Sequence, residues 1–254
     1  MTGTFNGRLA VVTGATSGLG RRFAHVLSDA GAAVALMGRR TERLEAECTA
    51  IEARGGRAVA IALDVADAAA IGPALARAQE ALGPLSILVN NAGVGGEGMA
   101  LDISIEAFDQ TMAVNVRGVF FAAREAARLM IANGEAEAGR ARIINIASIM
   151  ASTAAPGLSV YSGSKAAVAM MTKALAREWA RPQIAVNAIC PGYIETEINA
   201  DWFKTEGGQK QIRSFPRRRL MDADVLDQAL LMLAGPAAAA ITGSLITIDD
   251  GQSL

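Results

Sequence analysis

The chain has 254 residues, 52% hydrophobic and 19% charged, with 24 Lys plus Arg against 25 Asp plus Glu. A chain this apolar and this close to neutral is neither disordered nor fitted with a basic field for nucleic acid or an anionic membrane. Two cysteines (Cys48, Cys190) and one histidine (His25) exclude a disulfide framework and a zinc constellation.

No basic-then-apolar leader is read in the first seven residues, which points to a soluble cytosolic protein. Short apolar runs rich in Val and Ile predict strands at 8–13, 33–37, 58–63, 86–90, 142–147, 184–190 and 244–248. Helical patterns fall between them, at 18–30, 42–53, 67–81, 105–131, 159–180 and 223–233. Strands that are apolar throughout belong to a parallel sheet covered on both faces. Their alternation with helices predicts right-handed βαβ units and a Rossmann-type, doubly wound α/β fold of about seven strands. No Pro- or Ser-rich linker divides the chain, so one domain over 1–254 is expected.

Three stretches stand apart. Residues 229–248 carry no charge over about the length of a membrane span. Gly235-Pro236 interrupts them, so a buried helix, a break and a buried strand fit better. Residues 133–140 read as a polar surface loop. Residues 194–220 are longer than one crossover requires and hold Trp202, Phe203 and Phe215, which predicts a substrate lid.

The first strand runs into Thr13-Gly14-Ala15-Thr16-Ser17-Gly18-Leu19-Gly20 and then a helix. Glycines permit a tight turn and close backbone approach, and the helix start offers free N–H groups to a phosphate. The spacing is Gly-x3-Gly-x-Gly, and a turn that merely packs helix on sheet is the bland alternative. Strand two ends in Leu36-Met37-Gly38-Arg39-Arg40, with no carboxylate before Glu42. An acidic residue there would hold the ribose 2′-hydroxyl of NAD, whereas arginine grips a 2′-phosphate. NADP(H) is therefore favoured, with NAD(H) as the alternative and solvated arginines as the bland reading. Asp64-Val65, at the end of strand three, is placed beside the adenine or in a helix cap.

Further on come Asn90-Asn91-Ala92-Gly93 after strand four, Ser148 after strand five, and Tyr161-Ser162-Gly163-Ser164-Lys165 on the next helix. Tyr161 and Lys165 then share a helix face one turn apart. A phenol titrates near pH ~10, and a cation ~4 Å away at an effective dielectric of ~20 is worth ~4 kcal/mol, or about three pKa units. That brings Tyr161 into the range of an efficient proton donor and acceptor. Ser148 would hydrogen-bond a substrate oxygen. Singly, Tyr161 reads equally as an amphipathic helix residue, Ser148 as a cap and Asn115 as a satisfied buried amide.

Taken together, Thr13-Gly14-x3-Gly18-x-Gly20, Asn90-Asn91-Ala92-Gly93, Asn115, Ser148, Tyr161-x3-Lys165 and Pro191-Gly192 closely resemble the short-chain dehydrogenase/reductase family, over nearly the whole chain. The resemblance implies a catalytic tetrad of Asn115, Ser148, Tyr161 and Lys165, with Asn115 holding a water that continues the proton path from Lys165. It also implies a cofactor border at Asn91, Ala92, Gly93, Val114, Pro191, Gly192, Ile194 and Thr196, together with Tyr161 and Lys165. A homotetramer or homodimer built on the helices of 105–131 and 159–180 and the last strand is implied as well.

Substrate walls are expected at Ser148, Met150, Ala151 and Tyr161, along 95–98, and along 193–215 with Tyr193, Trp202 and Phe203. They are largely apolar, which predicts a neutral, fairly hydrophobic ketone or secondary alcohol unless Lys204 or an arginine of 217–219 turns inward. The expected activity is an NADP(H)-dependent carbonyl reductase or alcohol dehydrogenase. A 3-oxoacyl thioester (acyl-carrier-protein) reductase is the alternative within that class, and a non-catalytic dinucleotide sensor the alternative outside it. His25, Cys48 and Cys190 are read as structural, and Arg217-Arg218-Arg219 as a solvated turn.

Overall fold

Strands built mostly of apolar residues need cover on both faces, and the tertiary structure supplies it for the inner strands. In the computed structural model, which describes residues 4–96, 98–196 and 199–254, seven strands form one parallel sheet ordered β3-β2-β1-β4-β5-β6-β7. They are β1 (Leu9–Thr13), β2 (Ala33–Gly38), β3 (Arg57–Ala62), β4 (Leu85–Asn90), β5 (Arg142–Ile146), β6 (Ala185–Pro191) and β7 (Leu245–Ile248). All seven expected strands are present. The helices are α1 (Gly18–Asp29), α2 (Thr41–Glu52), α3 (Ala68–Leu82), α4 (Ile105–Met112), α5 (Val119–Ala132), α6 (Ser159–Glu178), α7 (Ala200–Lys204), α8 (Glu206–Ser214) and α9 (Asp227–Ala234).

Alternation along β1 feeds two cores. Leu9 and Val11 pack with Ile71 and Leu75 of α3, Ala122 and Ala126 of α5, and Leu175 of α6. Ala10 and Val12 pack with Phe23 and Leu27 of α1, Leu44 and Ile51 of α2, and Leu230 and Leu233 of α9. Each such fully buried Leu, Ile or Phe contributes roughly 1.5–3 kcal/mol. The chain winds from β1 out to β3, then returns to β4 and winds the other way, so a crevice opens beyond the carboxyl ends of β1 and β4.

Four expectations change in detail. Only the inner strands are covered on both faces; β3 and β7 lie at the sheet edges and are partly exposed. The helix expected over 105–131 is three pieces, because a wider π-type turn, Ala113–Gly118, separates α4 from α5. Within it Gly118 is pressed on Val65, where an added Cβ would lie 2.8 Å from the Val65 carbonyl oxygen. The 133–140 loop is not simply solvated, since Glu135 and Ala136 are buried. Arg140 pairs with Glu135, while its carbonyl accepts from buried Arg8 at 2.7 Å. That cluster sits at the amino ends of β1 and β5, opposite the crevice. Finally, 229–248 is α9, a break and β7, as expected, except that β7 is half-buried. Among the described residues no helix is long and apolar enough to cross a membrane.

Candidate active site

The glycine turn after β1 is held by β4. The Thr13 hydroxyl accepts from the backbone N–H groups of Asn91 and Ala92, both at 3.0 Å. In return, Asn91 Nδ2 donates to the carbonyls of Thr13 (3.0 Å) and Gly14 (3.3 Å). Gly14 takes φ +67°, and a Cβ there would lie 2.8 Å from Ala92 Cα. The site therefore needs glycine for both conformation and clearance. Gly20 faces away from the crevice, where a Cβ would meet Asn91 Nδ2 at 2.3 Å. Its role is packing. Ser17 precedes α1 without capping it, so the first N–H groups of the helix stay open to a ligand.

From β2, Arg40 donates to the hydroxyls of Thr16 (2.6 Å) and Ser17 (3.0 Å), which brings a guanidinium against the mouth of the glycine turn. Arg39 lines the same crevice. Asp64 accepts from Ala66 N–H at 3.0 Å and closes a turn, while Asp67 is the cap of α3. Asp64 and Val65 both line the crevice.

Beyond β5, Ser148 Oγ accepts from Met150 N–H at 3.1 Å, which leaves its own proton free to donate. On α6, Lys165 is buried and its ammonium donates to the Ile146 carbonyl at 2.8 Å, 5.7 Å from the Tyr161 ring centre. Burial lowers the Lys165 pKa to about 8. Cys190 is itself buried, and desolvation raises its pKa, so it remains a neutral core thiol.

Asn115, inside the π-type turn, is fully buried. Its Oδ1 accepts from Val94 N–H and its Nδ2 donates to Val94 C=O, both at 2.9 Å, and to Ser164 Oγ at 3.0 Å. Ser164 donates in turn to the Tyr161 carbonyl at 2.7 Å. One amide thus joins the strand-four loop to the Tyr–Lys turn of α6. Ser164 escaped sequence reading, because a serine between two motif residues carries no signal until its partner is located.

These groups line one cavity of about 700 Å³. Gly14, Thr16, Ser17, Gly18, Leu19, Arg39, Arg40, Asp64, Val65, Asn91, Ala92, Gly93 and Val114 form its glycine-turn side. Ser148, Met150, Tyr161, Lys165, Pro191, Gly192, Tyr193, Ile194 and Thr196 complete it. Asn199, from the expected lid stretch, lines it too, as do Gly38, Val94, Ile149 and Leu158, which were not anticipated. Asn115 and Gly20 stand behind the wall.

Three expected wall residues are corrected. Trp202 is half exposed and donates its indole N–H to Gln211. Phe203 is buried beneath Tyr193, edge-to-face at 6.0 Å, and does not reach the cavity. Ala151 likewise does not line it. Of the other expected stretches, Glu97, Glu197 and Ile198 lie outside the described residues. Lys204 pairs with Asp201, and Arg217 and Arg219 pair with Asp250. His25 sits between Glu47 and Arg54, each at 2.6 Å, as part of a surface network.

The short chain dehydrogenase family matches residues 8–207. The gluconate 5-dehydrogenase of Gluconobacter oxydans is 32% identical over 249 residues, 98% of this chain and 95% of that protein. A crystal structure of a gluconate 5-dehydrogenase from Burkholderia cenocepacia in complex with NADP and tartrate superposes with a TM-score of 0.92 at 32% identity, covering 98% of this chain and 96% of that one. A dehydrogenase/reductase from Sinorhizobium meliloti superposes with a TM-score of 0.91 at 38% identity, over 99% and 97%. With a family match over most of its length and relatives of this identity along nearly all of it, the chain belongs to the short-chain dehydrogenase family, whose members are oxidoreductases acting on CH–OH and C=O groups.

Proposed function

We propose that this chain is an NADP(H)-dependent oxidoreductase that interconverts a neutral ketone and a secondary alcohol, with Tyr161 as the general acid and base. The observation that carries this reading is a single cavity with Ser148, Tyr161 and Lys165 at one end and the glycine turn, Arg39 and Arg40 at the other. The residues present fit a dinucleotide phosphate: positive-φ glycines at 14 and 18, an uncapped helix start and a guanidinium on the Thr16 and Ser17 hydroxyls. Thr16, Ser17, Arg39 and Arg40 would hold its phosphates, and Asp64, Val65 and Asn91 its adenosine side. When bound, the nicotinamide supplies or accepts the hydride.

The chain's own groups handle the proton. Ser148 donates its free hydroxyl proton to the substrate oxygen and fixes its position. Tyr161 gives that oxygen a proton in reduction and takes one back in oxidation. The Lys165 ammonium, anchored on the Ile146 carbonyl, favours the phenolate that remains. Asn115 keeps the Val94 loop and the Tyr161 turn in register. Its Oδ1 and the Lys165 ammonium lie 3.4 Å and 3.6 Å from the position of a Cβ on Gly93. The glycine thus leaves room there for a water that extends the proton path.

The substrate end is formed by Val94, Met150, Leu158 and Tyr193, and the nearby cations Lys204, Arg217 and Arg219 are paired with carboxylates. That supports a neutral, apolar substrate. The 194–220 stretch, through Ile194, Thr196 and Asn199, serves as the lid over that end. Exposed Leu101, Ile105, Phe108 and Met170 on and beside α4 and α6 support a homodimer or homotetramer through those helices.

A fluorescence titration with NADPH and NADH, followed by a ketone panel with the parent and Tyr161→Phe, tests the reading. NADPH should bind at least tenfold tighter, about 1.4 kcal/mol. Tyr161→Phe should lose roughly 10²–10⁴ in turnover while still binding NADPH. Tighter NADH binding, or a carboxylate substrate preferred throughout the panel, overturns the cofactor or substrate assignment.

A further inference from the structure

Where β6 ends, Tyr193 forms part of the cavity wall. Its ring stacks on Phe215 at 5.3 Å and meets Phe203 edge-on. Both rings belong to the 194–220 excursion, so the wall is braced by that excursion. Its two ends meet: Met221 N–H donates to the Tyr193 carbonyl at 3.2 Å, and Ile194 pairs with Met221 in a parallel bridge.

The C-terminal tail grips this neck from outside. Tyr193 N–H donates to Gln252 Oε1 at 2.6 Å, while Gln252 Nε2 donates to the Arg219 carbonyl at 3.3 Å and lies 3.5 Å from the Tyr193 carbonyl. One amide therefore ties the residue just before the excursion to the excursion's last turn. Asp250 adds an ionic hold, accepting from Arg217 at 3.0 Å and Arg219 at 2.9 Å. Gly192 is required by this closeness, since a Cβ there would lie 2.4 Å from Gln252 Oε1 and 2.8 Å from Asp249 Cα.

The tail's own turn is built to aim these side chains. Asp250 and Gly251 take φ +55° and +83°, and Asp249 accepts from Gly251 N–H at 3.0 Å and Ser253 N–H at 2.9 Å. A non-glycine residue in the left-handed region carries a conformational cost, which the Asp249 bonds and the Asp250 ion pairs offset.

We propose that Gln252 and Asp250 are positioning residues for substrate binding: the tail clasps the neck of the 194–220 excursion and so sets the position of the Tyr193 wall. The role in substrate binding rests on the ketone-reductase reading, whereas the clasp itself does not. The amide hold is neutral and resists salt. The Asp250 hold involves two largely exposed arginines and is screened by it.

The test compares full-length parent, Gln252→Ala, Gln252→Glu and Asp250→Asn by amide hydrogen exchange, then by steady-state kinetics on the panel ketone that the parent reduces fastest with NADPH. Gln252→Ala is expected to speed exchange across 199–221 at least fivefold while β1 and β4 keep the parent's rates. It should raise KM at least fivefold and change kcat less than twofold. Gln252→Glu keeps the acceptor for Tyr193 N–H but loses the donor to Arg219, so it should fall between parent and alanine variant. Asp250→Asn should match the parent measured in 1 M NaCl. Unchanged exchange over 199–221, or acceleration spread equally over β1 and β4, overturns the clasp. Faster local exchange with kcat rather than KM altered overturns its role in substrate binding. A parent that reduces no ketone defeats the functional reading instead, and the exchange result still decides the clasp.

Discussion

Lys165 donates its buried ammonium to the carbonyl of Ile146, the last residue of β5, at 2.8 Å. The bond ties the cation to the strand that also delivers Ser148. It does not repay desolvation in full, because the Lys165 pKa is lowered from 10.5 to about 8. Below pH 8 both folded and unfolded chains carry the proton, and the folded state bears the whole cost of burying it. As pH rises from about 8 to 10.5 the folded chain sheds the proton first, so this cost is progressively relieved. Lys165→Met should therefore be more stable than the parent at pH 7, by a Tm rise of about 2–4 °C per kcal/mol relieved, and the gap should narrow by pH 9.5. Calorimetry at both pH values checks it. A variant less stable than the parent at pH 7 would contradict it.

The same titration bears on turnover. If the ammonium favours the Tyr161 phenolate, ketone reduction should fall as pH rises through about 8. A rate profile flat to pH 10, measured with saturating NADPH, would show that the lysine charge is not used.

Arg40 donates to the Thr16 and Ser17 hydroxyls at the mouth of the glycine turn. Arg40→Ala should weaken NADPH binding about 10- to 100-fold, the ~1.5–3 kcal/mol of a charge-assisted hydrogen bond, and leave NADH binding within about twofold. Equal losses for both cofactors would assign Arg40 to the fold instead of the 2′-phosphate.

Asn115→Ala would strip partners from both backbone groups of Val94 and from Ser164. An abandoned group that stays buried costs about 1–3 kcal/mol, and because Val94 is only half-buried its two groups cost less, so the variant should lose roughly 2–4 kcal/mol of stability along with activity. Urea denaturation measures it. A stability loss below about 0.5 kcal/mol would deny the amide this joining role.

Gly93→Ala is a gentler probe. The added methyl would sit in ordinary contact with Asn115 Oδ1 and the Lys165 ammonium, at 3.4 Å and 3.6 Å. Stability and NADPH binding should hold while kcat falls about tenfold, as expected for a displaced relay water. An unchanged kcat would remove that water from the proton path.

Much of the site is carried by local spacing. The glycine turn at 14–20, Ser148 after a strand and the Tyr161–Lys165 pair one helical turn apart depend on neighbours within a few residues, so their geometry follows from the chain's own periodicity. Asn115 was placed by resemblance, but its work was hidden, because both of its backbone partners belong to Val94, 21 positions away. Trp202 misled for a related reason. Its position in a long insertion suggested a wall, yet α7 is five residues long and its periodicity is too short to reveal which face meets the site.

Hydrophobic patterning was enough to place all seven strands and their parallel pairing, since burial of one strand depends mainly on its own residues. What no one-dimensional pattern contains is the partner of a polar side chain distant in the chain. Gln252 on Tyr193, Arg8 on the Arg140 and Ala234 carbonyls, and Asn115 on Val94 join segments 59, 132, 226 and 21 residues apart. Buried polar groups must be satisfied wherever the fold happens to bring a donor to an acceptor. That choice belongs to the packed molecule, and so does the shape of the substrate wall.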